Sequence, residues 1–313
     1  MINKRPRFLF LRGGAIGDFV LTLPALTAVR DNWPEAYIEV LGYPHIARLA
    51  QAGGLADSVR SLDDAGMARF FSLRPVFPAE QIEYIRSFDI IFSYLHDMDG
   101  TVRNNLELAG ARMVIYGSPI VDDGHAVDHL LKPLESLAIY NAGAAPRLDL
   151  DVSFRRQGRG ILESAGITPG AVAMHPGSGS LKKVWPTRRF VSLARRVTAE
   201  TSCEPFFIIG EADETAAESL RREAADIPVL SNCSLSDLAG VLSLCSAFIG
   251  NDSGITHLAA ALDIPVVAMY GPTDPDRWGA RGSRVVRLKC PGGGMESLQM
   301  NDVFNAMKQM LEA

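Results

Sequence analysis

The sequence predicts an α/β protein built from two doubly wound, Rossmann-like domains. Three observations carry this. Short apolar segments recur along the whole chain and alternate with longer amphipathic ones, as in a mostly parallel sheet covered by helices. Several apolar segments run straight into glycine-rich turns. A Gly-, Ala- and Pro-rich stretch at 143–151 (GAAPRLDLD) divides the alternation near its middle and reads as a linker. Two such domains with a linker imply a cleft, because open parallel sheets bind ligands beyond the carboxyl ends of their strands.

The first domain opens with an apolar strand at 7–11 that ends in glycines, followed by a helix at 18–30 (DFVLTLPALTAVR) with Pro24 inside it. YIEVL at 37–41 is the next strand, 45–51 a second helix and 58–62 a weak strand. FDIIFSY at 88–94 is a strong strand with a charged element before it. A helix at 104–109, a strand at 112–116 and a long helix at 125–141 complete the domain.

After the linker, a helix at 155–165 is stopped by Gly166, Pro169 and Gly170. Strands follow at 171–175, 206–209, 228–230, 247–250 and 265–270, with helices at 187–200, 214–225, 235–243 and 255–262. Pro205 suits the start of its strand, where a missing amide costs least. Residues 279–294 look irregular, and 298–311 reads as a terminal helix.

Composition excludes several classes. Of 313 residues, 47% are hydrophobic and 21% charged, which rules out wholesale disorder. Lys plus Arg number 31 against 36 Asp plus Glu, a formal charge of -5, so no general nucleic-acid footprint exists. Lys4, Arg5 and Arg7 form a local basic run that reads as a solvated tail, with attraction to an anionic surface as the alternative. Cys203, Cys233, Cys245 and Cys290 include no CxxC pair, so reduced thiols and a reducing, cytoplasmic compartment are expected. Arg12 and Asp18 interrupt the apolar start, which has no cleavage signal, and no uncharged apolar run reaches membrane-spanning length.

Three turns carry chemistry. LRGGAIGD, 11–18, sits between a strand and a helix but fails the dinucleotide spacing, since Ala15 and Asp18 stand where glycines are needed. Asp18 reads either as a helix N-cap or as a carboxylate on a glycine-built rim that takes a proton from a hydroxyl. HPGSGSLKKVWP, 175–186, follows a strand with a glycine–serine loop and then Lys182 and Lys183, which suits a phosphate or diphosphate. NDSGITH, 251–257, ends a strand and opens a helix whose free N–H groups suit an anion, with Ser253 as a hydroxyl donor and His257 one turn in. Asp252 suits a sugar hydroxyl better than a phosphate.

In order and spacing, RGGAIGDFVLTLPAL, HPGSGSLKKVWP and NDSGITHLAAALDIPVVAMYGPTDP resemble glycosyltransferase family 9, the bacterial lipopolysaccharide heptosyltransferases. The resemblance covers essentially the whole chain. It implies the GT-B fold, two facing Rossmann-like domains with a central cleft. Residues 1–150 would bind the acceptor, 151–296 the nucleotide-sugar donor, and the helix within 297–313 would cross back to the first domain. It implies an inverting transferase that moves heptose from ADP-heptose onto a lipopolysaccharide core. Asp18 matches the acid proposed as general base, and Lys183 the lysine on the donor diphosphate. Ser178 and Ser180 fall beside that diphosphate, and Asp252, Ser253, Gly254 and His257 match the donor-binding DSGxxH segment. The acid that holds the ribose falls at Glu211, Asp213 or Glu214, with Glu211 preferred. No metal and no cofactor beyond the ADP-sugar donor is implied. The implied setting is the cytoplasm, with peripheral contact to the inner membrane and no nucleic acid. Two departures stand out: Gly179 and Ser180 replace the paired threonines of well-known members, and 65–99 carries no assignable motif. The competing readings are a non-catalytic nucleotide-sugar binding protein, an NAD-dependent oxidoreductase, and an epimerase or glycogen-synthase-like enzyme of the same fold.

Overall fold

The structure is a computed structural model that describes residues 5–141 and 143–312. Lys4, part of the basic run, lies outside the described residues. The chain divides into two compact units, Met1–Ala144 and Ala145–Ala313.

The first unit contains β1 (Arg7–Arg12), α1 (Ile16–Asn32), β2 (Tyr37–Gly42), α2 (Pro44–Ala52), β3 (Ser58–Ser61), α3 (Ala79–Arg86), β4 (Ile90–Ser93), α4 (Thr101–Leu108), β5 (Val114–Tyr116) and α5 (Ala126–Leu131). Its sheet has the order β3-β2-β1-β4-β5, and the strand pairs are parallel. Parallel strands covered on both faces must be apolar on both faces. In β1, Phe8 to Leu11 are each 2% exposed or less. Phe10 stacks on Phe92 of β4 at 4.5 Å between ring centroids.

The second unit contains α6 (Val152–Ser164), β6 (Val172–His175), α7 (Thr187–Glu200), β7 (Pro205–Ile209), α8 (Glu214–Glu223), β8 (Val229–Ser231), α9 (Leu235–Leu242), β9 (Ala247–Asn251), α10 (Gly254–Ala261), β10 (Val266–Tyr270), α11 (Pro275–Trp278), β11 (Val285–Lys289) and α12 (Met300–Glu312). Its parallel sheet runs β11-β10-β9-β6-β7-β8. In α7, Phe190, Val191, Leu193, Ala194 and Val197 recur at helical spacing, and all are buried. Trp185, just before α7, is fully buried and packs edge-on to Phe190 at 5.1 Å. Full burial of one such aromatic contributes roughly 1.5–3 kcal/mol.

Several expectations change. The helix expected at 18 starts at Ile16, so Asp18 lies inside its first turn. The long helix expected over 125–141 is α5 followed by a 3-10 turn, Lys132–Leu137, because Pro133 has no amide to continue the α-helical ladder. The irregular stretch at 279–294 contains β11, an edge strand paired with β10. The unit boundary falls at 144/145, not at 150/151. Leu148 and Leu150 are buried, and the Leu148 N–H donates to the Ala261 carbonyl at 2.8 Å. The terminal helix, α12, packs in the second unit's core. Val303, Phe304 and Met307 of α12 are buried there with Phe190 and Ile249. The Arg196 guanidinium of α7 lies 3.9 Å from the Phe304 ring centroid. An amphipathic helix requires an apolar partner surface, and α7 with the β9–β10 face supplies it.

Candidate functional site

In each sheet the first strand lies at a switch point, with the chain extending the sheet first to one side of it and then to the other. In the first unit β1 lies between β2 and β4, and in the second β6 lies between β7 and β9. The carboxyl edge beside such a strand is a crevice where open α/β sheets place ligands. All three motif turns fall at these edges.

In the second unit, Asn251 clasps the edge. It ends β9 and is fully buried. Its side-chain oxygen accepts the Trp185 N–H at 3.0 Å, and its amide donates to the Pro176 carbonyl at 2.8 Å. The loop after β6 is thereby locked onto the end of β9. Ser178 adds a second tie, donating its hydroxyl to the Asp252 carbonyl at 2.8 Å. Its proton therefore holds the loop. A short 3-10 turn, Leu181–Lys183, then sends the two lysines apart. Lys182 is exposed, whereas Lys183 is half-buried with Nζ 2.7 Å from Oδ2 of Asp252, whose side chain is only 7% exposed. Ser180 is partly exposed on the same loop.

Ser253 is the N-cap of α10, its oxygen accepting the Thr256 N–H. The first N–H groups of a helix have no intrahelical partner, so the start of α10 at Gly254 is a donor edge suited to an anion. His257 is buried one turn into α10. The edge thus brings together Lys183, Asp252, Ser253, Gly254 and His257, with Ser178 and Ser180 on its rim.

The three candidate acids after β7 separate clearly. Asp213 turns inward, accepting His175 Nε2–H at 3.1 Å and the Gly210 N–H at 2.8 Å. Burial pushes its carboxyl up, but the His175 hydrogen bond and charge and the Gly210 amide override this and hold it below the usual carboxylate range. Gly177 packs directly on that carboxylate, where a Cβ would collide with both oxygens. Asp213 is committed to the protein, whereas Glu211 and Glu214 are exposed.

In the first unit, Asp18 occupies the third position of α1. Its Oδ2 reaches back to the Ala15 N–H at 3.0 Å, the return arm of a capping box whose other arm Ala15 cannot make. Gly14 permits this geometry. Its φ is +95°, and a Cβ there would stand 2.9 Å from Asp18 Oδ2. The carboxylate thus fills the place where a dinucleotide fingerprint would seat a pyrophosphate. Oδ1 lies 3.9 Å from Arg12 Nη2, and the side chain is 39% exposed.

Sequence reasoning missed Arg12. It ends β1 and is 6% exposed. Its guanidinium donates to Thr22 Oγ1 at 2.9 Å, to the Asp18 carbonyl at 3.0 Å and to the Tyr94 carbonyl at 3.3 Å. It braces the turn that carries Asp18. Burial lowers its pKa, opposed by Asp18 and Tyr94. An arginine ending an apolar strand was the available signal. Asn251, His175 and Asp213 lay inside or beside quoted motifs, but their pairing needed the fold. Among the described residues, no cluster of three His, Cys, Asp or Glu side chains could hold a metal ion. Among them, no helix is long and apolar enough to cross a membrane.

Comparisons with known proteins bear on the family and the fold. The family profile described as glycosyltransferase family 9 (heptosyltransferase) matches residues 110–308. Lipopolysaccharide heptosyltransferase 1 of Escherichia coli O18:K1:H7 is 36% identical over 100 residues, 32% of this chain and 29% of that protein. The match thus spans under a third of that relative's length. The crystal structure of a family 9 glycosyl transferase from Veillonella parvula superposes with a TM-score of 0.81 at 20% identity, covering 100% of this chain and 99% of that one. E. coli ADP-heptose lipopolysaccharide heptosyltransferase II superposes with a TM-score of 0.79 at 16% identity, covering 98% of each. At these identities the two structures establish the GT-B fold. With more than half of its length matched by the family profile, the chain belongs to glycosyltransferase family 9.

Proposed function

We propose that this chain is an inverting glycosyltransferase that moves a heptose from an ADP-linked donor onto a lipopolysaccharide core acceptor. The observation that carries the donor side is the β6–β9 edge of the second unit. It sets the Lys183 cation and the start of α10 round one mouth, with Asp252 at 2.7 Å from Lys183. A diphosphate meets a cation and free amides there, and the sugar hydroxyls meet the Asp252 carboxylate. Glu211, exposed beyond β7, is the acid assigned to the ribose, with Glu214 as its neighbour.

In this mechanism the acceptor hydroxyl loses its proton to Asp18 Oδ1 as its oxygen attacks the anomeric carbon. The bond from that carbon to the donor phosphate oxygen breaks on the opposite side, so one displacement inverts the centre. The departing nucleoside diphosphate gains negative charge, which Lys183 and the first amides of α10 stabilise. Ser178 serves by fixing the loop, since its hydroxyl is committed to the Asp252 carbonyl.

The choice of heptose, ADP and lipopolysaccharide is supported by family membership and by the names of the relatives. We assign the enzyme to the cytoplasm, with peripheral contact to the inner membrane where its lipid-linked acceptor would lie. The test is calorimetric competition among ADP, UDP, GDP and CDP. ADP should bind at least ~10-fold tighter than the others, or ~1.4 kcal/mol. A UDP or GDP preference of that size overturns the heptosyltransferase assignment.

A further inference from the structure

A histidine that closes a fully buried strand must find partners for both ring nitrogens. His175 ends β6 and is 4% exposed. Its Nε2 lies 3.1 Å from Asp213 Oδ2, and its Nδ1 lies 3.2 Å from Ser253 Oγ. A line of three side chains therefore runs from the loop after β7, through the end of β6, to the cap of α10.

The proton positions follow from donor and acceptor counting. The Asp213 carboxylate only accepts, so the Nε2 proton points at it. With a neutral ring, Nδ1 is an acceptor and takes the single hydroxyl proton of Ser253. The other claimant for that proton is Thr256 Oγ1, 3.2 Å from Ser253 Oγ. The Thr256 hydroxyl has already donated its own proton to the Asn251 carbonyl. In this state Ser253 offers an incoming phosphate only lone pairs, which repel it. With a protonated ring, Nδ1–H donates to Ser253 Oγ and the hydroxyl proton is free to turn outward.

We propose that His175 and Asp213 form a proton-coupled positioning pair for the donor diphosphate. His175 takes up one proton from solvent as the anion binds, and Ser253 thereby becomes a hydrogen-bond donor to it. Asp213 stabilises the imidazolium, and the added positive charge lies beside the start of α10. His175 acts through Ser253, so it is a positioning residue. The other charged and titratable groups on the surrounding elements are Glu211 and Glu214 beside Asp213, Asp252 with Lys183 paired to it, and His257 on α10. The proposal rests on the donor reading above, which assigned Lys183 and the start of α10 to the diphosphate but gave the Ser253 hydroxyl, His175 and Asp213 no part.

The experiment is calorimetry of ADP binding to the full chain from pH 6.5 to 8.5, in buffers of different ionisation enthalpy, with pyrophosphate as a second probe. Wild-type protein should take up at least about half a proton at the maximum. A full proton would weaken ADP binding tenfold per pH unit over the coupled range. Phosphate itself ionises near ~6, and selection of its ionised form releases protons, so the sign separates the two sources. His175→Gln should bind ADP with uptake near zero and a flat pH profile. Asp213→Asn, which keeps the ring but removes its counter-charge, should lose most of the uptake and serves where His175→Gln does not fold. A purely structural histidine would change affinity or stability without changing the proton count. ADP binding with no proton uptake by wild-type protein, or with undiminished uptake by the variants, overturns the proposal and leaves the donor reading intact. Failure of both ADP and pyrophosphate to bind overturns the donor reading, and this proposal with it.

Discussion

Replacing Asp18 by Asn separates its chemistry from its part in the fold. The structure gives the carboxylate two oxygens with different duties. Oδ2 caps the Ala15 N–H at 3.0 Å, and Oδ1 is not used by the cap. Asparagine keeps an oxygen for Ala15, so the turn and Gly14 retain their geometry. What is lost from the fold is one negative charge in the first turn of α1, worth about 0.3–1 kcal/mol. For a unit of this size that lowers the melting temperature by roughly 1–4 °C. What is lost from the reaction is the proton acceptor, a factor of about 10²–10⁴ in turnover. At 1.36 kcal/mol per decade this adds about 2.7–5.4 kcal/mol to the barrier, several times the stability change. The assay is nucleoside diphosphate release in the presence of donor and acceptor, paired with a thermal melt and donor-binding calorimetry. Asp18→Asn should melt almost normally, bind donor normally and turn over at least a hundredfold slower. Asp18→Ala should lose turnover similarly and about a further 1 kcal/mol of stability, because the Ala15 amide is uncapped. Turnover of Asp18→Asn within threefold of the parent removes Asp18 as the base.

Lys183→Ala strands the buried Asp252 carboxylate. Since Lys183 is itself a third exposed, the cost is about 1–3 kcal/mol in chemical denaturation, below that of a fully buried pair, alongside weaker ADP binding. Asp252→Asn in the same chain should recover stability but not binding, while Lys182→Ala changes stability by less than ~0.5 kcal/mol; a larger binding defect at Lys182 shows the lysine register to be wrong. Burial pushes the Asp57 carboxyl up, but hydrogen bonds from the Ile38 amide, Arg30 and Arg5 hold it below its ordinary value. Its contribution is therefore present above the unfolded value of ~3.9 and lost as pH falls through the folded value. Asp57→Asn should be destabilised at pH 7 in urea titrations, and the gap to wild type should close below about pH 4. Turnover should survive exhaustive chelation, because Lys183 and the α10 amides supply the positive charge; rescue of a chelated, inactive enzyme by a divalent ion contradicts this.

Much of this was legible before the structure, for a physical reason. A parallel strand buried on both faces has an unambiguous composition, and the glycine turn after it is equally conspicuous. Hence β1, β4, β6, β9 and β10 could be placed, with Asp18, Lys183 and Ser253 at their ends. β11 escaped because an edge strand covered on one side tolerates Arg287 and Lys289. α12 was legible as a helix but not in its packing, since an amphipathic stripe demands an apolar partner without naming it. The His175–Asp213 bond joins residues 38 apart, on loops that only the strand order β6-β7 brings together. Arg12 signalled itself only as an arginine ending an apolar strand; its role was not legible, because its three acceptors come from α1 and the end of β4.

The two units apply one topology with opposite electrostatic sense. In both, the loop after the first strand lies at the carboxyl edge of a parallel sheet. In the first unit, the Asp18 carboxylate already satisfies the Ala15 amide, and its second oxygen lies 3.9 Å from buried Arg12. The resident anion disfavours a phosphate there and is the carboxylate proposed above as proton acceptor. In the second unit the helix start at this edge is that of α10, which follows β9 and not β6; a neutral serine caps it, and the negative Asp252 is matched by Lys183. The amides at that helix start keep their pull on an external anion. A carboxylate at the N-cap Ser253 would place a negative charge on the first amides of α10, so Ser253→Asp should abolish diphosphate binding while keeping the cap. Which helix start carries its own negative charge would thus set the division of labour proposed above between base and diphosphate site.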